Sequence, residues 1–248
     1  MIRGLYTVGT GMLTQRKKLD VLANNLANVD TAGFKQDKLL TRSFQDVLIR
    51  RIGDSAGKNE VGPYNYGLHT DAVATDFIQG PLDQTDRMLD LAIEGEGFFA
   101  VNTEDGIRYT RAGAFRVDEN LRIVTADGYP LLGTNGEPFV LASEDVQIDK
   151  EGNVYNEGVY INTIQLTNFT NVEGLRKIGD NLYEALDDAG AVAANARVHQ
   201  GFLEGSNVDL VKQMTDMIEI SRSYETHQRM ASIINDTLGK AVNEIGKV

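Results

Sequence analysis

Cysteine is absent from the 248 residues, so neither a disulfide framework nor a thiolate metal site is available. Histidine is scarce: His69, His199 and His227 stand apart, with no second histidine or carboxylate at ligand spacing, which argues against a zinc or di-metal centre. Basic residues are in the minority, 24 Lys/Arg against 36 Asp/Glu, for a net charge of −12. That is the reverse of a nucleic-acid footprint. No stretch approaches the roughly eighteen apolar residues of a membrane-spanning helix. The first residues also lack the continuous apolar core and small-residue cleavage site of a secretory signal, because Gly4, Thr7, Gly9, Thr10 and Gly11 interrupt them. The expectation is a chain that stays in the cytosol or leaves by a route that reads no cleaved signal.

Catalytic patterns are missing too. No Ser-His-Asp constellation, Walker loop or nucleophile elbow occurs. Gly95-Glu96-Gly97 lacks a third glycine and runs into the strand-like Phe98-Phe99-Ala100-Val101, where a dinucleotide site needs a helix N-terminus. Asp149-Lys150-Glu151-Gly152-Asn153 is half a calcium loop without the terminal glutamate, and a hairpin turn explains it. Paired acids such as Glu94/Glu96 and Asp187/Asp188 suit a glycosidase only if they face each other across a substrate. The expectation is a non-enzymatic chain with no cofactor, no metal and no small-molecule substrate.

What is present is a long seven-residue rhythm near the C-terminus. Leu210, Met217, Tyr224, Ala231, Leu238 and Ile245 recur every seven residues, with Met214, Ser221, Gln228, Asn235 and Val242 filling the 4-and-3 step. That is a coiled-coil period. Ser206 or Asn207 is the expected N-cap, and neither Pro nor Gly recurs until Gly239. Such a helix is about 58 Å long at about 1.5 Å per residue, so something outside the segment must bury its stripe. At the other end Leu5, Met12, Leu19 and Leu26 repeat at the same interval, which predicts a pairing of the two terminal helices. The seam is imperfect, with Gly9, Arg16 and Ala23 on one helix and Ser221, Gln228 and Asn235 on the other. Polar seam positions lower stability but fix register and partner number, which points to assembly with further copies. The first fifty residues hold eight Lys/Arg and four Asp/Glu, leaving −16 for the rest.

The N-terminal helix is expected to end near Asp30, with Thr31-Ala32-Gly33 as its stop. Asn24, Asn25 and Asn28 crowd that end although asparagine is a poor helix former. Either they cap the terminus, or their amides bond across a helix interface into which Leu26 packs. Leu39 to Ile52 is amphipathic and reads as a short helix, Gly53 to Gly67 as a loop, and Leu68 to Ile78 as extended. From Gly80-Pro81 onward the period becomes two. Apolar runs at Leu89–Ile93, Phe98–Val101, Ala114–Val117, Leu121–Val124, Val146–Ile148, Val159–Phe169 and Leu182–Ala185 are separated by the turn pairs Asp105-Gly106, Asp127-Gly128, Asn135-Gly136 and Glu151-Gly152. The fold class is therefore α+β: N- and C-terminal helices paired as a coiled-coil hairpin, residues 1–34 and 204–248, with a connector at 35–80 and an inserted antiparallel β domain at 81–203.

The run Asn24-Asn25-Leu26-Ala27-Asn28-Val29-Asp30-Thr31-Ala32-Gly33-Phe34-Lys35, preceded by Gly11-Met12 and Leu19-Asp20-Val21, resembles the N-terminal signature of the bacterial flagellar axial proteins of rod and hook. Gly201-Phe202-Leu203-Glu204-Gly205-Ser206-Asn207-Val208-Asp209, then Met217-Ile218 and Arg222-Ser223-Tyr224-Glu225, resembles their C-terminal one. Between them, Glu94-Gly95-Glu96-Gly97-Phe98-Phe99 and Tyr109-Thr110-Arg111-Ala112-Gly113-Ala114-Phe115 resemble motifs of the rod and hook subgroup. The resemblance implies a structural rod subunit of the basal body in the cell envelope, with distal rod favoured over proximal. It implies as partners other copies, other rod and hook proteins and the flagellar export apparatus, with no nucleic acid. The assembly interface it implies comprises Leu5, Met12, Leu19, Asn24, Asn25, Leu26, Asn28, Gly33, Phe34, Leu210, Met214, Met217, Tyr224, Leu238 and Ile245. Two rivals remain: a cell-wall or carbohydrate-acting enzyme, and a closed coiled-coil stalk.

Overall fold

Among the described residues a helix lies near each end of the chain, and between them run strands and turns with one short helical turn at Val172–Gly174. The computed structural model describes residues 2–50, 60–143 and 145–245, and the chain is α+β. It divides into two compact units, one of Met1–Leu26, Asp37–Ala74 and Asp209–Val248, the other of Ala27–Gln36 and Thr75–Val208.

The first unit contains α1 (Ile2–Ala27) and α2 (Leu210–Lys240), the latter continued by one wider turn at Ala241–Ile245. Asp209 caps α2, its carboxylate accepting the Lys212 N–H at 3.1 Å. Ser206 and Asn207 were the expected caps, but both side chains are turned to other backbone: Ser206 Oγ accepts the Val208 N–H, and Asn207 bridges Gln36, Asp76 and Ile78. Three approaches align the helices. A Cβ on Gly4 would lie 3.7 Å from Ile234, one on Gly11 would lie 2.8 Å from the His227 ring, and Gln15 Nε2 donates to Ser223 Oγ at 3.1 Å. Steps of seven and four residues up α1 match the same steps down α2, so the two run antiparallel.

On α2 the seven-residue line from Met217 to Leu238 faces inward as expected, and the companion line beside it is displaced by one residue at all its positions but Ser221. Met217, Tyr224, Ala231 and Leu238 are half-buried and are accompanied by Gln213, Ile220, His227, Ile234 and Ala241; of the expected companions Ser221 is half-buried, while Met214, Gln228, Asn235 and Val242 are exposed. Both sets satisfy a 4-and-3 spacing around the same seven-residue line, and sequence periodicity does not separate them. The choice explains the apparent polarity of the seam, since Gln228 and Asn235 face water. On α1 the small residues Gly4 and Gly11, seven apart, admit the side chains of Ile234 and His227.

Of the helix expected at Leu39 to Ile52, the described part, to Arg50, is not helical. Asp37–Ser43 pairs with Leu68–Thr75, and Val47–Arg50 pairs antiparallel with Glu60–Tyr64. The apolar residues of this segment fit either period, and the strand partners decide. The expected loop from Gly53 is described only from Glu60; residues 51–59 lie outside the described residues. This β connector packs on α1 through rings: Tyr6 meets Phe44 at 6.5 Å and Tyr66 at 6.0 Å, and Thr7 Oγ1 lies 3.3 Å from the Tyr64 hydroxyl.

The second unit is antiparallel throughout. Its largest sheet has the order Leu175–Gly179, Leu182–Ala185, Gly106–Thr110, Phe98–Thr103, Leu166–Phe169, Ala191–Ala193. Period-two alternation sends Phe99 and Val101 into one apolar cluster with Leu91, Phe115, Ile123 and Leu131, and Phe98 into another with Phe169, Leu175 and Tyr183. Val146–Ile148 and Leu182–Ala185 are strands as expected, whereas Val159–Phe169 is two strands, Val159–Thr163 and Leu166–Phe169, in different sheets. Asp118 and Asp149 organise similar turns, each carboxylate oxygen Oδ1 accepting N–H groups two and four residues on.

The displaced seam is testable. Ile234→Ala should lower the stability of the helical pair by about 1–2 kcal/mol, roughly half the range for a fully buried isoleucine, whereas Asn235→Ala should leave it unchanged. Urea titrations followed by far-ultraviolet circular dichroism distinguish the two; equal effects would place the seam elsewhere.

Candidate functional site

An ionised side chain removed from water must be paired and hydrogen-bonded or it destabilises the fold. The second unit buries three together. Lys35 and Glu204 have side chains 0% exposed, and Arg111 is 5% exposed. Glu204 Oε1 accepts from Lys35 Nζ and from the Gly80 N–H at 3.0 Å, and its Oε2 accepts from Arg111 Nη1 at 3.0 Å. Each cation has a second acceptor, since Lys35 Nζ donates to Ile78 O and Arg111 Nη2 to Gly95 O, both at 2.8 Å. The guanidinium also lies over the Phe98 ring, 5.3 Å from its centre. Burial lowers the Lys35 pKa from its ordinary 10.5, with the Glu204 carboxylate opposing the shift.

The surrounding backbone is fastened to the same point. The Gly33 N–H donates to Glu204 O at 2.7 Å, and Gly205 N–H to Pro81 O at 2.8 Å. Gly33 has φ +69°, and a Cβ there would lie 2.3 Å from the Arg111 carbonyl carbon, so only glycine fits. Asn207 accepts the Gln36 N–H at 2.8 Å and donates to Asp76 O at 2.8 Å. Lys177 Nζ sits 3.9 Å from the centre of the Phe34 ring. The segments around 32–36, 76–81 and 204–207 are those by which the chain enters and leaves this unit, and one carboxylate ties all three together.

The residues expected at an interface separate into two groups. Gly33 and Phe34 are buried in this cluster's surroundings, and Asn25 is buried in the first unit, where its amide pairs with the Asp37 backbone, donating to the carbonyl at 2.8 Å and accepting the N–H at 2.9 Å. That pairing lies within the subunit and explains an asparagine inside a helix. Asn28 Oδ1 accepts from the Thr31 hydroxyl at 3.3 Å, a terminus contact, and Asn24 is exposed. Leu5, Leu210 and Met214 are exposed, while Met12, Leu19, Leu26, Met217, Tyr224 and Leu238 are half-buried. The side chain of Ile245 lies outside the described residues. Lys35, Arg111 and Glu204 lie inside the family motifs but were given no role by sequence reasoning, Asn207 was expected only as a helix cap, and Gly4, Gly11 and His227 were not expected at a helix crossing. The available signal was that each of the N-terminal, Tyr109–Phe115 and C-terminal motifs carries one of these three charged residues.

The acids considered for catalysis are placed otherwise. Glu94 pairs with His199 at 2.8 Å, which holds its carboxyl below the usual range, and Glu96 accepts from Asn168 at 3.2 Å. Among the described residues no three His, Asp or Glu side chains gather as a metal-ligand set. The cluster is an architectural contact: a β unit whose entry and exit segments are fastened by buried ion pairs, on a chain with a helix near each end.

Comparison with known proteins carries this further. Residues 5–35 match the family described as flagella basal body rod protein, residues 92–156 the flagellar hook protein FlgE/F/G D1 domain, and residues 199–244 the flagellar basal body rod FlgEFG protein C-terminal. The flagellar basal-body rod protein FlgG of Bacillus subtilis is 37% identical over 98% of this chain and 99% of its own length. The rod protein FlgF of Caulobacter vibrioides is 34% identical over the full length of both chains, and FlgG of Borreliella burgdorferi is 33% identical over 98% of each. The chain belongs to the flagellar basal-body rod protein family.

Removing the central carboxylate should be costly. Glu204→Gln leaves Lys35 and Arg111 buried without their counter-charge, and the second unit should lose about 3–5 kcal/mol of stability in denaturant titration. Arg176→Ala, which breaks only an exposed pair with Glu184, should cost under about 1 kcal/mol. Lys35 also sets a pH dependence. Because its folded pKa lies below 10.5, the unfolded chain binds more protons between the two values, and this residue's contribution to stability rises with pH across that window. The denaturation midpoint of the wild type should therefore climb relative to Lys35→Met as pH approaches 10.5; parallel profiles would show that Lys35 is not the source.

Proposed function

We propose that the chain is a structural subunit of the flagellar basal-body rod, in the distal rather than the proximal segment, assembling with copies of itself and with other rod and hook proteins after delivery by the flagellar export apparatus. The observation that carries this reading is the poverty of the first unit's interior: among its described residues only Thr14, Leu22, Asn25 and Gln213 are buried. One buried leucine does not stabilise a 26-residue and a 31-residue helix, whose stability in proteins comes mainly from packing of an apolar face. Meanwhile Leu5, Tyr6, Leu13, Leu210, Val211, Met214, Ile218, Met230 and Ile233 remain exposed on the same two helices.

In this reading α1 and α2 pair as an antiparallel coiled coil, and the apolar residues outside their seam are covered by neighbouring subunits. Leu5, Leu210 and Met214 belong to that outer surface, with Asn25, Gly33 and Phe34 shaping the subunit itself. A head-to-tail interface that does not close on itself generates a helical assembly. The predominance of FlgG among the named relatives favours the distal position.

Light scattering over a dilution series tests the assembly. The chain should be monomeric when dilute and grow without a fixed end-point when concentrated. A constant trimer at every concentration would indicate a closed stalk, and peptidoglycan turnover by the purified chain would overturn the structural reading. Met230→Asp with Ile233→Asp should raise the concentration needed for growth at least about tenfold, since each tenfold step corresponds to about 1.4 kcal/mol and an unpaired buried charge costs more. The thermal transition of the second unit should not move.

A further inference from the structure

Three glycines lie inside α1, and two have partners: Gly4 faces Ile234 and Gly11 faces His227. Gly9 differs, because a Cβ there meets nothing within 4 Å. A glycine in a helix interior weakens the helix relative to alanine, and no described contact within the chain requires one at this place. Gly9 instead forms the floor of a groove of about 430 Å³ bounded by Tyr6, Thr10, Leu13 and Arg16 of α1 and by Tyr224 of α2. Tyr6 and Leu13 stand as its apolar walls, 50% and 62% exposed. The missing side chain deepens a groove that nothing in the described chain fills.

The geometry points to one occupant, the ridge Val211, Met214 and Ile218 of α2 in a second copy of this chain. The assignment rests on the assembly reading above and specifies its contact. The three residues follow the i, i+3, i+7 spacing by which a helix lays anchors into a groove, and they are 73%, 51% and 55% exposed. Charge favours the match as well. α1 carries Arg3, Arg16, Lys17 and Lys18 against Asp20, whereas the ridge segment carries Asp209, Asp216 and Glu219 against Lys212. The two surfaces do not meet within one subunit. The alignment that sets Gly11 against His227 places Gly9 opposite Arg229, roughly 22 Å along the helix from Met214 at about 1.5 Å per residue. Groove and ridge are different surfaces of the same chain, so each copy keeps a free groove or ridge for the next, and the contact propagates as long as its rotation does not close a ring.

The test exploits open space at Gly9 and the absence of cysteine. Gly9→Leu occupies the groove from a Cβ position that meets nothing within 4 Å, so the helicity of the dilute monomer should hold or rise while the concentration needed for assembly increases at least about tenfold. Gly239→Leu, at a helical glycine whose Cβ also meets nothing within 4 Å, should assemble as the wild type does. In mixed material, one population carrying Gly9→Cys and the other Met214→Cys should oxidise to a mixed disulfide dimer, and Gly9→Cys with Val140→Cys should not. Assembly of Gly9→Leu at the wild-type concentration, or polymers of the cysteine variants without that mixed disulfide, overturns this contact while leaving the assembly reading intact. Failure of the wild type to assemble at any concentration overturns both.

Discussion

The burial of one carboxylate governs how this chain is put together. Glu204 is out of water with two cations, and removal of three charges from solvent is tolerable only when donors and acceptors are placed to match. Lys35, Arg111 and Glu204 come from positions far apart in sequence, and the backbone groups that complete their bonding, Gly80 N–H, Ile78 O and Gly95 O, come from two further places. The cluster is satisfied only when all five segments are in register. It therefore fastens the β unit's core to the segments around 32–36, 76–81 and 204–207, which lie next to that unit's boundaries.

The two units divide the work of stability unequally. The β unit has two apolar clusters and a sheet buried on both faces at Phe98–Val101, enough to define its own structure. The helical unit has little interior and much exposed apolar surface. Single exposed apolar residues are ordinary on any protein, but an apolar set repeated along two long helices, on a unit with a single buried leucine among its described residues, is the kind of surface that the proposed assembly would cover.

Glycine has opposite meanings at neighbouring positions of α1. Gly11 admits a ring from α2 at a distance no side chain would tolerate, whereas Gly9 leaves room that the subunit does not use. In the sequence both are simply helix-weakening residues. Only the packing around them separates an internal close approach from an open floor.

The sequence by itself determined the order of helix, β segments and helix, the seven-residue period of both ends, the turns at dipeptides such as Asp105-Gly106, and the family, because these depend on local period, local turn chemistry and contiguous motifs. It did not determine which of two 4-and-3 lines on α2 faces inward, since Gln213–Ile220–His227 and Met214–Ser221–Gln228 fit the same spacing and only contact with α1 chooses between them. Nor did it separate helix from strand at Leu39 to Ile52, where the pairing partner beyond residue 59 sets the period. The meeting of Lys35, Arg111 and Glu204 was decided by the tertiary structure alone: each charge is unremarkable among its neighbours in sequence, and its necessity arises only when folding takes it out of water beside the other two.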